Sequence, residues 1–78
     1  MRSEELRSAM LILLLYLEGM TFSRAAREIS KVLGVSESTV RWNLRKLRDQ
    51  GFVICGSKEE KFVPLRLTRK GMRLLKNL

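Results

Sequence analysis

The sequence predicts a small, mainly α-helical domain that carries one β-hairpin. Apolar residues recur at helical spacing through residues 3–49. Two β-rich runs follow, "FVICG" at residues 52–56 and "KFVPLRL" at residues 61–67, and a polar stretch separates them. The chain has 78 residues, which is enough for one domain with a small core. The predicted order is therefore helix, helix, helix, hairpin, helix.

The first predicted helix spans residues 3–18 and ends before Gly19. Its inner face consists of the helically spaced residues Leu6, Met10, Leu13, Leu14 and Leu17. Leu11, Ile12 and Leu15 lie on the other side, so the middle of the helix is apolar nearly all round. Such a helix is either central to the core or covered by a second surface. We expect these three residues to form a homodimer interface; the alternative is that they pack under the last helix.

The second and third predicted helices form a helix-turn-helix. The second spans residues 23–33 and has Ser23 as its N-cap, and the third spans residues 37–49 after the N-cap Ser36. The short turn "LGVS" joins them, and Gly34 supplies the left-handed backbone that so tight a turn requires.

The predicted hairpin has strands at residues 52–56 and 61–67. Pro64 has no amide to donate, so the second strand is expected to have a free edge or a bulge there. Thr68 is a suitable N-cap for a last helix at residues 69–77. The whole chain is predicted to be a single domain.

The distribution of charge points to a polyanionic partner. The net charge is +8 and the isoelectric point is near 10.6. Residues 1–38 contain five cations and five anions, whereas residues 39–78 contain eleven cations and three anions. Such an asymmetry favours a nucleic acid. The alternative is a protein that is merely basic and soluble.

Several other classes of protein are disfavoured. A single cysteine, Cys55, excludes an internal disulfide and fits a reducing, cytoplasmic setting. The longest apolar run, residues 9–17, is about half a membrane span. The chain has no histidine, no phosphate-binding glycine loop and no metal-ligand spacing. We therefore expect neither an enzyme nor a protein with a cofactor, a bound metal or a small-molecule ligand.

The third helix carries the residues expected to contact the partner. Val40, Leu44 and Leu47 face inward, which leaves an outward stripe of Ser38, Arg41, Trp42, Arg45, Lys46 and Asp49. A basic stripe on the second helix of such a pair has the form of a recognition helix in the major groove of DNA. The alternative is an ordinary solvated face made by Arg45, Lys46 and Arg48.

Two kinds of contact are expected from this helix. Ser36 and Thr39, near its N-terminus, are suited to a phosphate because hydroxyls, free amides and the helix dipole meet there. Arg41 and Arg45 lie one turn apart and are suited either to guanine edges or to phosphates. Asn43 lies toward the flank and is expected to bond locally.

The run "AAREISKVLGVSESTVRWNLRKLRDQGFVI", residues 25–54, resembles the winged helix-turn-helix family of prokaryotic transcription regulators. The run "LRLTRKGMRLL", residues 65–75, resembles the LT-x-x-G start of the helix that follows the wing hairpin. The resemblance implies a winged-helix fold and binding to double-stranded DNA. It also implies recognition-helix roles for Ser38, Thr39, Arg41, Trp42, Arg45 and Lys46, and wing roles for Lys58 and Lys61. The wing tip departs from the pattern because Glu59 and Glu60 would repel a phosphate.

The predicted function is sequence-specific binding of double-stranded DNA by a small homodimeric transcriptional regulator. The alternative is a winged helix that acts as a protein-interaction module in a transcription or RNA-processing assembly. In that case Trp42 would be buried against a protein partner, a role that aromatic residues often have in interfaces.

Overall fold

The computed structural model describes residues 2–56 and 62–77. The described chain forms, in order, α1 (Ser3–Tyr16), α2 (Phe22–Leu33), α3 (Glu37–Asp49), β1 (Val53–Ile54), β2 (Arg66–Leu67) and α4 (Arg69–Lys76). The two strands make one antiparallel hairpin. This arrangement confirms the predicted fold class, which is mainly helical with the hairpin and last helix of a winged helix-turn-helix. In this part of the chain, no helix combines the length and apolarity needed to cross a membrane.

The core lies between the first three helices and is closed by the hairpin. Its largest fully buried side chains come from all three helices and from the chain before β2: Met10, Leu11, Leu14, Ile29, Val40, Leu44, Leu47 and Leu65. Leu11 is only 1% exposed, so the expectation that it forms part of a dimer surface is wrong. Helix α1 packs against α4 and β2 as well as against α2, so more of its surface is enclosed than its apolar periodicity indicates.

The helix α1 ends at Tyr16, two residues before the predicted end. The following residues leave the helix to pair with the second half of the hairpin. The amide of Gly19 donates to the carbonyl of Leu65, and the amide of Leu65 donates to the carbonyl of Met20, both at 2.8 Å. If α1 continued as a helix, the amide and the carbonyl of Leu65 would lack these hydrogen-bond partners.

The boundaries of the helix-turn-helix depend on side-chain caps. Helix α2 begins at Phe22, and its N-cap is Thr21 rather than Ser23, since the Thr21 hydroxyl accepts a hydrogen bond from the Arg24 amide at 3.3 Å. At the other end, Gly34 has a left-handed φ of 67°. The Ser30 hydroxyl donates to the carbonyl of Val35 and so ties α2 to the turn.

The strands are shorter than the runs predicted at 52–56 and 61–67. Val53 pairs with Leu67 and Ile54 with Arg66, and the regular pairing is limited to these residues. Phe52 belongs to the turn after α3, because its amide donates to the Leu47 carbonyl at 2.9 Å. On the other side, Leu65 bonds to the segment after α1 instead of to β1. Each half of the hairpin is therefore hydrogen-bonded both to the other half and to a second segment. This segment is the end of α3 for the first half and the chain after α1 for the second half.

The last helix is attached to the hairpin by its N-cap. The Thr68 hydroxyl accepts from the amide of Gly71 at 3.0 Å and donates to the carbonyl of Gly51 at 2.6 Å. Helix α4 ends at Lys76, one residue before the predicted end, and Asn77 is its C-cap. The start of α4 is thereby held against the turn that ends α3.

Candidate nucleic-acid interface

Helix α3 has one buried side and one exposed side. Val40, Leu44 and Leu47 are fully buried, so they fix the rotation of the helix about its axis. The opposite side presents five exposed residues of the predicted stripe and the exposed Thr39: Ser38, Thr39, Trp42, Arg45, Lys46 and Asp49. Arg41 lies at the edge of this face and is half-buried. The structure thus brings the helix residues of the predicted site together on one surface, which we call the outer face of α3.

The polar residues at the start of α3 are organised by local hydrogen bonds. The Ser36 hydroxyl accepts from the Thr39 amide at 3.2 Å and lies 2.9 Å from the Thr39 hydroxyl. The side-chain amide of Asn43 donates to the Thr39 carbonyl at 2.8 Å, which is the local bond expected for it. Ser36 and Thr39 remain exposed, so their hydroxyls are both accessible and held in place.

Arg41 and Arg45 share an aromatic neighbour on α2. The guanidinium carbons of Arg41 and Arg45 lie 5.7 and 5.9 Å from the centroid of the Phe22 ring. Arg41 also forms an exposed ion pair with Glu37, one turn earlier, at 3.4 Å. Sequence reasoning assigned no role to Phe22. Its only sequence signal is an aromatic residue at the start of α2, and the contact depends on how α2 crosses α3.

Trp42 is 54% exposed on the outer face of α3. The ammonium nitrogen of Lys46, one turn later, lies 4.5 Å from the centroid of its ring. A cation at this distance is attracted by the π-electrons of the indole. The large apolar surface of Trp42 is therefore only partly covered by its own chain.

Arg48 does not belong to the outer face. It is half-buried, and its guanidinium donates to the carbonyl of Gly56 at 3.3 Å and to the carboxylate of Asp49 at 3.4 Å. The solvated-face alternative that grouped Arg48 with Arg45 and Lys46 is wrong for this residue. Arg48 joins α3 to the chain after β1, and it lies closer to the buried side of the helix than sequence reasoning assumed.

The N-terminal part of α1 borders the other flank of α3, which sequence reasoning did not foresee. Two shallow, open cavities lie between these helices, with volumes of about 140 and 360 Å³. Arg7 and Lys46 both line the smaller one, and Trp42 lines the larger one together with Leu6. The outer face of α3 is thus continuous with a groove that ends on α1.

Three further predictions concern the wing lysines, the single cysteine and metal ligands. The wing lysines Lys58 and Lys61 lie outside the residues that the structure describes. Cys55 is buried, and desolvation raises the pKa of its thiol, an effect that Arg48 partly offsets. A buried thiol of raised pKa is a poor nucleophile, which suits a role in packing. Among the described residues, no three His, Cys, Asp or Glu side chains are grouped as metal ligands.

Comparison with known proteins supports the helix-turn-helix architecture. The sequence model of a family described as "Helix-turn-helix domain" matches residues 3–55. The match covers α1, α2, the turn, α3 and β1, and therefore includes the whole outer face of α3. Neither a curated protein nor a solved structure matches this chain.

Proposed function

The chain belongs to the helix-turn-helix domain family, a DNA-binding family, and from this premise we propose that it is a transcriptional regulator that binds a specific sequence in double-stranded DNA. Such families are typically non-enzymatic. The observation that carries the proposal is the outer face of α3. It presents Trp42, Arg45 and Lys46 to solvent on the side opposite the fully buried Val40 and Leu44. An α-helix with this distribution fits the major groove of B-DNA.

Each part of the outer face has a role in the proposed complex. Ser36 and Thr39 bind a phosphate at the N-terminus of α3, where the helix dipole favours negative charge. Ser38, Arg41 and Arg45 reach base edges or the adjacent backbone. Trp42 packs on a thymine methyl or on sugar, while Lys46 contacts a phosphate. The wing lysines Lys58 and Lys61 are proposed to contact the flanking backbone.

We further propose that the protein binds DNA as a homodimer through α1. Ile12 and Leu15 are 47% and 38% exposed, and Tyr16 is exposed beside them. Exposed apolar residues grouped on one helix favour contact with another protein surface. In a symmetric dimer the two copies of α3 would lie about 34 Å apart and would bind the two halves of a roughly palindromic site.

The decisive experiment measures binding of a labelled DNA duplex as a function of salt concentration. If about six cations each neutralise a phosphate, log K should fall with log salt at a slope of about −5. Replacing Arg41 and Arg45 together with alanine should reduce the magnitude of this slope by up to about 1.8 and weaken binding at least about tenfold.

The matched control removes the same charge elsewhere. Arg27 on α2 and Arg73 on α4 are both exposed and lie outside the outer face of α3. The Arg27→Ala, Arg73→Ala variant should bind DNA much more tightly than the Arg41→Ala, Arg45→Ala variant. Equal losses for the two variants would show that binding follows net charge alone. Unchanged binding after loss of Arg41 and Arg45 would favour the protein-interaction module instead.

A further inference from the structure

Phe22 lies between the core and the outer face of α3. It is the first residue of α2, directly after the N-cap Thr21, and its half-buried side chain packs against the core. Its ring also lies within 6 Å of the guanidinium carbons of both Arg41 and Arg45. One ring therefore links the inside of the domain to the two arginines at the proposed DNA interface.

We propose that Phe22 is a positioning residue for DNA binding, which holds Arg41 and Arg45 in place before DNA arrives. The inference rests on the function proposed above. A guanidinium near the face of an aromatic ring is attracted by its π-electrons. Both arginines therefore lose part of their conformational freedom when the protein folds rather than when it binds DNA. Such pre-organisation increases affinity because less side-chain entropy is lost on binding.

The position of the ring on α2 matters. Arg41 and Arg45 lie one turn apart on α3. Phe22 approaches both from the adjacent helix, so the crossing of α2 and α3 determines where both guanidinium groups lie. Within the described residues, Glu37 adds a charged contact for Arg41 and not for Arg45. The crossing of α2 and α3 thus constrains two arginine side chains that the sequence alone left unconstrained.

The test compares aliphatic and aromatic replacements in the full chain. Phe22→Leu and Phe22→Met keep an apolar side chain in the core but remove the ring, and Phe22→Tyr keeps the ring. Binding to a mixed-sequence duplex, long enough for two half-sites one helical turn apart, is measured at several salt concentrations. We expect the aliphatic variants to bind about three- to tenfold more weakly, as the loss of two exposed cation–π contacts implies. Phe22→Tyr should restore the affinity.

The salt dependence distinguishes positioning from charge. The aliphatic variants remove no cation, so the slope of log K against log salt should stay at the wild-type value, unlike that of the arginine variants. In an Arg41→Ala, Arg45→Ala background, Phe22→Leu should cause no further loss. An equal loss in that background would overturn the inference, because the ring would then act through the stability of the fold.

Thermal unfolding identifies any aliphatic variant that does not fold, and the other is then used; if neither folds, the ring is essential to the core and the inference is overturned. Wild-type affinity in a folded aliphatic variant would likewise overturn it. A wild-type protein that does not bind the duplex even at the lowest salt concentration, where a DNA-binding protein binds any sequence, would instead overturn the proposed function, so the two failures are distinct.

Discussion

At the residue scale, Glu37 is the one acidic side chain shown to contact an arginine of the proposed interface in the described part of the chain. It lies in the first turn of α3, and its carboxylate is 3.4 Å from the guanidinium of Arg41. An exposed pair of this kind contributes at most about 1 kcal/mol to stability. A DNA phosphate that approached Arg41 would compete with this carboxylate and be repelled by it.

Glu37→Gln should therefore increase DNA affinity. We expect a gain of about two- to fivefold at low salt, which fades as salt screens the charges. The matched control is Glu5→Gln, which removes the same charge from the first turn of α1 and has the same effect on a helix dipole. Fluorescence anisotropy with a labelled duplex measures both variants. A gain of the same size in Glu5→Gln would show that only the overall charge matters.

At the element scale, Gly71 explains the LT-x-x-G pattern at the start of α4. A β-carbon at this position would collide with the carbonyl oxygen of Phe52 and lie 3.2 Å from a methyl carbon of Leu67. The absent side chain lets α4 approach the backbone between α3 and β1. Thr68 completes the junction by capping α4 and donating to Gly51.

Gly71→Ala should destabilise the protein although alanine is the better helix former. Helix propensity alone favours alanine by about 1 kcal/mol, but the collision with a backbone oxygen should cost about 1–3 kcal/mol more than this gain. The expected decrease in Tm is at least about 4 °C for a domain of this size. Arg73→Ala, at an exposed position in the same helix, is the control and should change stability by less than about 0.5 kcal/mol. An increased Tm for Gly71→Ala would refute the close approach.

At the scale of the whole molecule, the proposed dimer depends on an apolar patch that α1 leaves exposed. We define this patch as Ile12, Leu15 and Tyr16. The net charge of the chain lies in residues 39–78, and the patch shares no residue with the basic outer face of α3. Two such faces side by side would explain how so small a domain covers a full DNA site.

Ile12→Glu should shift the protein toward monomer and weaken its binding to a palindromic duplex. Burying a carboxylate in an apolar interface is costly, so we expect the dimer dissociation constant to increase at least about tenfold. Val32→Glu is the control, because Val32 is exposed on α2 and lies outside the patch. Analytical ultracentrifugation at micromolar concentration measures both variants. A monomeric wild-type protein under these conditions would contradict the dimer.

The sequence by itself determined the order of elements and the outer face of α3. Helical periodicity places Val40, Leu44 and Leu47 on one side, so Trp42 and Arg45 lie on the other whatever the rest of the chain does. Gly34 and the N-cap Ser36 specify the turn through local backbone geometry, and Asn43 bonds within its own helix. Each of these features depends on residues that are close in sequence.

Only the tertiary structure decided which of several similar apolar side chains are buried, and which of several similar arginines bond within the fold. Leu11 is buried while Ile12 is exposed, and Arg48 bonds to Gly56 while Arg45 lies over Phe22. Local periodicity cannot distinguish such neighbours, because burial depends on where other elements pack. The lengths of α1 and of the strands also depended on tertiary contacts, since Leu65 bonds to Gly19 and Met20, which are distant in sequence.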